Sequence, residues 1–355
     1  MDWSIFTILA QDGITSGAIY ALLSLALVLV FSITRVILIP IGEFVAFAAL
    51  TLAALQSGKA PATAVLLMVL GLAAFIQEAT LLYLANRLQR RGSGVVARVT
   101  GIALVKFILL PAALLTTTRS TDTAGLPMLL QVMLTLALVV PMGPIVYRLA
   151  FQPIAQASIL VLLIVAVSVH FAMLGIGLLM FGAEGSRTTP FSTAVFQVGN
   201  LTVSGQSVVI IGTTAAMIVA LYLYFDRTLS GKALRATAVN RLGARLVGIG
   251  TVQAGRLAFT LAAAMAALCG VLIAPLTTVY YDSGFLMGLK GFVGAIIGGL
   301  GSYPVAAGGA LLVGLLEAYS SFWASAFKEV IVFTLIIPVL LWRSVMHKEI
   351  DEDET

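Results

Sequence analysis

Three glutamates lie inside long apolar segments, and they are the side chains best suited to contact a polar solute: Glu43, Glu78 and Glu317. An intramembrane carboxylate costs roughly 2.5–3.5 kcal/mol on insertion scales, so each one should face a cavity or a partner. Glu43 follows Pro40 and Gly42, which interrupt a helix, and it is expected either to line a solute path or to cap the broken helix. Glu78 is expected to reach the membrane interface. Glu317 fits a path residue or a structural residue equally.

The remaining reactive residues are too few to form a catalytic centre. Cys269 is the single cysteine, and the two histidines are His170 and His347, which excludes a disulfide framework, a cysteine-based metal site and a histidine-rich one. Both Cys269 and His170 are expected to pack inside helices. Gly231-Lys232 lacks the flanking residues of a P-loop, and neither H-E-x-x-H nor G-x-S-x-G occurs. The chain is therefore predicted to be no enzyme and to bind no cofactor, and any ATP must be hydrolysed by a separate subunit.

The elements that position these residues must be membrane helices. Of the 355 residues, 60% are hydrophobic and 10% are charged, and the mean hydropathy is +1.09. An average soluble domain carries about 25% charged residues, so an ordinary soluble enzyme, a nucleic-acid-binding domain and a disordered chain are excluded. An all-α, polytopic transmembrane helical bundle is predicted, because ~20 apolar residues cross the hydrocarbon layer. Eleven spans are expected, at 14–33, 36–55, 63–85, 102–117, 127–147, 158–181, 207–225, 257–280, 285–300, 304–322 and 329–346.

The distribution of Lys and Arg predicts the orientation of the chain. Both concentrate in the loops 86–101 and 226–256, and loops rich in these residues stay in the cytoplasm. With eleven spans, the N-terminus then lies outside and the C-terminus lies in the cytoplasm. Residues 1–346 are expected to form a single membrane domain, followed by an acidic cytoplasmic tail at 347–355. The outer loop 182–206 is either a simple connector or a docking surface for an external partner.

The loop 226–256 contains a second functional candidate. From Lys232 to Leu246 it is rich in helix formers, and Gly248 and Gly250 follow. Its apolar residues recur at Leu234, Ala238, Leu242 and Leu246, close to one helical face. The pattern predicts one short amphipathic helix on the cytoplasmic side. Such a helix either lies on anionic lipid or sits in a groove of a cytoplasmic partner.

A glycine-rich stretch near the C-terminus also carries a motif. Gly294 and Gly298 form G-x-x-x-G, which lets two helices approach closely. Close helix packing is the first interpretation. The alternative is that these glycines let two subunits slide or open a path between them.

Two sequence blocks resemble a known family. The first runs Ser230-Gly-Lys-Ala-Leu-Arg-Ala236, followed by Ala244, Gly248-Ile249 and Gly270-Val-Leu272, and the second runs Gly288-Leu-Lys-Gly-Phe-Val-Gly294 through Gly298-Gly-Leu-Gly301 to Pro304. With the weaker Gly42-Glu43, they look like the membrane permeases of ABC importers of the branched-chain amino acid (LivH) type. The resemblance covers about 1–55 and 145–345, and residues 86–145 look like an insertion. The family often has Asn and His where this chain has Leu38 and Ile41.

The resemblance implies a function and a set of partners. The chain would be the permease subunit of an ATP-driven importer in the bacterial inner membrane, working with two cytoplasmic ATPases, a second homologous permease and a periplasmic solute-binding protein. Amino acids lead as solutes, followed by urea, amides and aromatic acids. An ion-coupled secondary transporter is the alternative, which would need paired intramembrane carboxylates and an inverted repeat.

The resemblance also implies roles for particular residues. Arg235 and Arg241 would make polar contacts with an ATPase, with Leu242, Ala244 and Leu246 as the seated face and Gly231 and Gly248 as bends. The full set expected to couple to the ATPase is Gly231, Lys232, Arg235, Asn240, Arg241, Leu242, Ala244, Leu246 and Gly248. The set expected to line the solute path is Gly42, Glu43, Glu317, Gly294 and Gly298.

Overall fold

The computed structural model describes residues 3–89, 100–198 and 201–341, and helices account for most of them. The helices are α1 (Trp3–Thr34), α2 (Ile41–Gln56), α3 (Ala62–Gln89), α4 (Thr100–Ser120), α5 (Met128–Ile154), α6 (Ile159–Phe181), α7 (Gly205–Arg227), α8 (Leu229–Val239), α9 (Arg241–Leu246), α10 (Thr251–Ile273), α11 (Ser283–Ile297), α12 (Tyr303–Trp323) and α13 (Lys328–Thr334). Two short strands, β1 (Val195–Val198) and β2 (Leu201–Ser204), form an antiparallel hairpin within the predicted outer loop.

The all-α, polytopic class is confirmed by the length and composition of the helices. Within the described ranges, eight helices are long and apolar enough to cross a membrane: α1, α3, α4, α5, α6, α7, α10 and α12. The helices α2 and α11 are apolar but shorter. The span predicted at 102–117 is longer than expected, since α4 runs from Thr100 to Ser120. It contains a π-helical turn at Val105–Leu109.

Several predicted segments fall outside the part of the chain that the structure describes. These are most of the basic loop 86–101, the acidic tail 347–355 and the end of the predicted span 329–346. The predictions for them therefore stay predictions.

The described chain divides into two compact units. Unit 1 contains Met1–Gly42, Thr189–Ile249 and Ser283–Thr355, and unit 2 contains Glu43–Thr188 and Gly250–Asp282. Each unit is assembled from segments that are distant in sequence, and α2 starts in unit 1 and continues in unit 2. The division therefore separates Gly42 from Glu43, the two neighbouring residues predicted to line a path.

Small residues hold the helices of unit 1 close together. A Cβ atom at Gly314 of α12 would clash with the backbone of Gly17 in α1, and one at Gly294 of α11 would clash with Ala310 in α12. The hydroxyl of Ser24 donates a hydrogen bond to the carbonyl of Gly291, which ties α1 to α11. The close packing predicted for G-x-x-x-G is therefore present within one chain, with Gly294 and Gly298 both facing α12.

Helix α2 lies at the centre of unit 2. Its side chains are buried along most of its length, including Phe44 and Phe47. Gly270 of α10 approaches the carbonyl of Val45, so that a larger residue there would push the two helices apart. The neighbouring Cys269 is fully buried, as predicted.

Glu78 has a basic partner within unit 2, and its expected reach to the membrane interface stays a prediction. Its carboxylate does not extend away from the protein but forms an ion pair with Arg148, a buried residue of α5. Arg148 also donates to the side chain of Gln77 and lies 5.1 Å from the centre of the Phe107 ring. A buried guanidinium needs such partners because its desolvation is costly, and the arginine supplies the partner that an intramembrane carboxylate also needs.

Candidate functional site

The interruption predicted before Glu43 is present. Helix α1 ends at Thr34, the chain continues in a non-helical segment, and α2 begins at Ile41, directly after Pro40. Gly42 is needed at this start because a Cβ atom there would collide with the backbone of Gly284 at the beginning of α11. Any side chain at this position would displace the start of α2, so the glycine has a structural role whether or not a solute passes.

Glu43 forms a buried polar pair inside unit 2. Its Oε1 atom lies 2.6 Å from Nδ1 of His170 on α6. The two residues are 1% and 4% exposed, and the second carboxylate oxygen, Oε2, has no hydrogen-bond partner among the residues that the structure describes. A buried oxygen without a hydrogen bond costs free energy, so this carboxylate is suited to accept a hydrogen bond from a polar solute. The expectation that His170 only packs inside a helix was incomplete, because its imidazole reaches this carboxylate.

Glu317 belongs to a second polar cluster, inside unit 1. Lys290 Nζ lies 2.6 Å from Glu317 Oε1 and 3.2 Å from Glu329 Oε1. The hydroxyl of Tyr20 donates to Glu317 Oε2 over 2.6 Å, and its ring lies beneath the ammonium group. The cluster joins α1, α11, α12 and α13 through charge-assisted hydrogen bonds. With both carboxylates ionised it carries one negative charge in excess.

Both clusters could exchange hydrogen bonds with a polar solute. Carboxylate oxygens accept bonds from ammonium and amide groups, which is the chemistry of an amino acid, an amide or urea. Neither cluster is a metal centre, since the described residues hold no group of three His, Cys, Asp or Glu with suitable spacing.

A single amphipathic helix was predicted from Lys232 to Leu246, and this prediction of one helix was wrong. The segment breaks at Asn240, whose backbone is extended and whose Oδ1 accepts a hydrogen bond from the amide of Gly243. Asparagine competes with helical hydrogen bonding and favours the N-cap position, which explains the break. As a result α8 and α9 are separate, and the apolar stripe from Leu234 to Leu246 does not lie on one face.

Some apolar residues of this segment are buried and others are exposed. Leu234 is buried in unit 1 and Ala244 is buried at 4%, whereas Leu242 is 69% exposed and Leu246 is 81% exposed. Of the predicted seated face, the two leucines are exposed and Ala244 lies in the groove between α8 and α9, and its docking stays a prediction. Large apolar side chains this exposed on a short helix are typical of a surface that another molecule covers.

The glycines and charged residues of the segment have distinct positions. Gly231 is not a bend: it lies inside α8, where its amide donates to the Thr228 hydroxyl and its Cα packs on Tyr224. Gly248 does turn the chain, with φ at +86°, a conformation that favours glycine. Lys232 and Arg235, together with Asn240, line a shallow groove between α8 and α9, and Arg241 begins α9.

Sequence reasoning missed two residues that complete the polar clusters. His170 and Lys290 are both ionisable side chains within apolar segments, and that feature alone could have marked them as partners of the glutamates. It could not have shown which glutamate each one meets, since the paired residues lie 127 and 27 positions apart.

Comparison with known proteins assigns the chain to a family. A family model described as "Branched-chain amino acid transport system / permease component" matches residues 94–340. The high-affinity branched-chain amino acid transport system permease protein LivH of Escherichia coli (strain K12) is 35% identical over 202 residues, which are 55% of this chain and 65% of that protein. LivH of Salmonella typhimurium gives the same figures.

A more distant relative has a similar description. BraD of Pseudomonas aeruginosa, also a high-affinity branched-chain amino acid transport system permease protein, is 29% identical over 229 residues, covering 62% of this chain and 75% of that protein. The chain covers just under two thirds of the length of the LivH proteins. No solved structure shows a significant match. Because the family model matches more than half of the chain, this multi-pass membrane protein belongs to the family of permease components of branched-chain amino acid transport systems.

Proposed function

We propose that the chain is the transmembrane permease subunit of an ATP-driven ABC importer in the bacterial inner membrane. It moves a small solute from the periplasm to the cytoplasm, with branched-chain or other amino acids first, and urea, amides or aromatic acids as further members of the class. The family match and the names of the relatives support this assignment. Sites on separate subunits bind and hydrolyse ATP, and this chain binds no cofactor.

The observation that carries the proposal is the pair of exposed leucines on α9. Leu242 and Leu246 lie between two candidate spans, in the loop that the Lys and Arg distribution assigns to the cytoplasm. Fully burying one leucine side chain contributes about 1.5–3 kcal/mol, so two of them can anchor a helix in a partner groove. Lys232 and Asn240, which line the groove between α8 and α9, supply polar contacts at the edge of the interface.

The segment is built to transmit a displacement. The amide of Gly231 is bonded to Thr228, the residue that follows α7, and Leu234 is buried within unit 1. A push on α9 passes through Asn240 and α8 to these contacts. Small shifts of a packed helix end can switch a bistable helix arrangement, which is the motion an ATPase would drive.

Each unit contains one polar cluster that is proposed to contact the solute. Glu43 offers an oxygen without a partner, and Glu317 belongs to a cluster with an excess of negative charge, so each suits the ammonium group of an amino acid. Gly42 keeps the start of α2 close to α11, and Gly294 and Gly298 keep α11 close to α12. These glycines would set the width of the path without contacting the solute.

Co-purification with the ATPases tests the coupling role. The double variant Leu242→Ser with Leu246→Ser should lower recovery of a co-expressed cognate ATPase pair by at least tenfold, because each leucine is expected to contribute more than about 1 kcal/mol. The matched control is Val195→Ser with Phe196→Ser, which changes two exposed apolar residues on the hairpin. Unchanged recovery of the ATPases with the α9 variant would contradict the proposed docking.

The same preparation separates the proposal from its alternative. Proteoliposomes that contain the chain without ATPases should show no uptake driven by a proton or sodium gradient. Accumulation under those conditions would establish an ion-coupled secondary transporter instead. Uptake that requires ATP, the ATPases and the binding protein together would support the importer.

A further inference from the structure

Unit 1 contains a cavity of about 720 Å³ at one end of its helices, which we name the interfacial cavity. It lies where α1 and α7 end, and α8 and the turn between α11 and α12 form its other walls. Sites for small organic ligands occupy roughly 300–1,000 Å³, so the space suits one hydrocarbon chain with part of a headgroup. The polar clusters of Glu43 and Glu317 do not line it, so it is separate from the proposed solute path.

The walls of the interfacial cavity are mainly apolar and partly aromatic. Leu25 and Phe31 come from α1, Ile218 and Leu221 from α7, and the rings of Phe225 and Tyr303 lie 5.8 Å apart across two elements. Tyr222, which is 66% exposed, lies at the opening on α7. Because most of α7 is exposed in the described chain, the cavity opens on a surface that faces lipid or another membrane protein.

Two arginines stand out against these apolar walls. Arg35 and Arg235 are both exposed and line the cavity, and its lining includes no carboxylate. Neither arginine forms an ion pair with any residue that the structure describes. Positive charge without a counterion beside an apolar space is complementary to an amphiphile with an anionic head.

The backbone at Arg35 points to a role for its side chain. Its φ angle is +62°, in the left-handed region, and its amide donates to the carbonyl of Phe31 in a helix-ending turn. Glycine adopts this conformation freely, whereas a residue with a Cβ atom is strained there. The guanidinium of Arg35 lies 5.8 Å from the centre of the Phe31 ring, which holds it at the cavity wall.

We propose that the interfacial cavity binds an anionic phospholipid from the cytoplasmic leaflet, with the phosphate on Arg35 and Arg235 and one acyl chain among the apolar walls. The Lys and Arg residues of the loop 226–256 assign this end of the helices to the cytoplasmic surface, where basic pockets between membrane helices recognise anionic headgroups. In a zwitterionic lipid such as phosphatidylcholine the choline cation already neutralises the phosphate, so it binds the two arginines less strongly than an anionic lipid does, and a free anion would leave the apolar walls empty. The binding involves neither ATP nor the transported solute.

The site lies beside α8, and this gives the lipid a structural effect. Leu234, Arg235, Ala238 and Val239 of α8 contribute to the walls, so a bound lipid contacts both the membrane helices and the helix that leads to α9. Any ligand that binds only the folded arrangement stabilises it by mass action. An occupied cavity therefore holds α8 against α1 and α7.

Native mass spectrometry of the full-length chain, delipidated in detergent, tests the proposal with two defined probes. Phosphatidylglycerol should bind at least tenfold more tightly than phosphatidylcholine with the same acyl chains. Inorganic phosphate at millimolar concentration should not displace phosphatidylglycerol, because it makes no contact with the apolar walls. Equal binding of the two lipids, or displacement by phosphate, would overturn the proposal.

Variants locate the binding. Arg35→Gly suits the local backbone better than arginine, so it should fold normally and still weaken phosphatidylglycerol binding about tenfold. Ala238→Trp fills the space while both arginines remain, and should also abolish the preference. Arg227→Gln is the matched control, because Arg227 pairs with Asp226 outside the cavity, and binding should not change.

Two results would contradict the assignment of the cavity. One is an Arg35→Gly protein that binds phosphatidylglycerol as tightly as the unchanged chain. The other is an efficient disulfide between two copies of the variant Tyr222→Cys in a bilayer, which would show that a second copy covers the opening. A tenfold loss in Arg35→Gly with full binding in Arg227→Gln would establish the site.

Discussion

Replacing His170 with leucine tests how much the buried pair of His170 and Glu43 stabilises unit 2 against local opening. The imidazole lies 2.6 Å from the carboxylate, and both groups are excluded from water. Leucine is apolar and of similar size, so His170→Leu removes a polar partner without opening a large space. The carboxylate would then be left in apolar surroundings with one more unsatisfied oxygen.

The expected cost follows from the burial of Glu43. An acidic side chain at the centre of a bilayer costs roughly 2.5–3.5 kcal/mol on insertion scales. Loss of the His170 imidazole should lower the free energy of local opening of unit 2 by a similar amount. Since each 1.4 kcal/mol is a factor of ten, local opening should increase by about 60- to 300-fold. Adding Glu43→Gln to His170→Leu removes the charge, so the double variant should recover most of this loss. Glu43→Gln alone should cost about 1 kcal/mol, as for a single altered hydrogen bond.

Cys269 provides the assay without an added probe site. It is the single cysteine of the chain, it is fully buried, and the adjacent Gly270 packs on Val45, two residues after Glu43. When opening is faster than labelling, the rate of reaction with a maleimide dye measures the population in which α2 and α10 separate. Met173→Leu, at an equally buried position on α6, is the matched control and should label at the original rate. Labelling of His170→Leu at the rate of this control would refute the coupling between Glu43 and His170.

Two further predictions concern the polar clusters. In a reconstituted complex with its ATPases and binding protein, Glu43→Gln should lower solute uptake at least tenfold while the subunits still co-purify, and full uptake would remove Glu43 from the path. Lys290→Met should destabilise the chain by about 3 kcal/mol in detergent unfolding followed by tryptophan fluorescence, because it leaves the carboxylates of Glu317 and Glu329 without their cation. Adding Glu317→Gln should restore part of that loss, and an additive effect would show that the two residues do not interact.

The membrane class and most helices could be predicted from the sequence because each depends on local composition. A run of ~20 apolar residues forms a helix in lipid whatever it packs against, since all backbone groups must be bonded internally. The interruption of the helix before Glu43 could also be predicted from local sequence, because Pro40 and Gly42 signal it. The break at Asn240 was missed, although asparagine is a favoured N-cap residue. In the structure its Oδ1 accepts a hydrogen bond from the amide of Gly243, three residues later.

The polar partnerships could not be predicted in the same way. The imidazole that meets Glu43 comes from His170 on α6, 127 positions later in the chain. Arg148 lies 70 positions after Glu78 and belongs to a π-helical turn at Tyr147–Phe151. Each pairing depends on which helices are neighbours, and apolar helices of similar composition give no signal of that order.

The sequence by itself determined that this chain crosses a membrane many times, that it contains no P-loop, and that a basic loop carries apolar residues at near-helical spacing. These features arise from residue type and spacing alone. The tertiary structure decided that Glu43 meets His170, that Glu317 meets Lys290, and that Arg35 and Arg235 border one apolar cavity. Such contacts require specific helices to lie side by side, and that arrangement is set by close packing at glycines and by paired charges acting over long sequence separations.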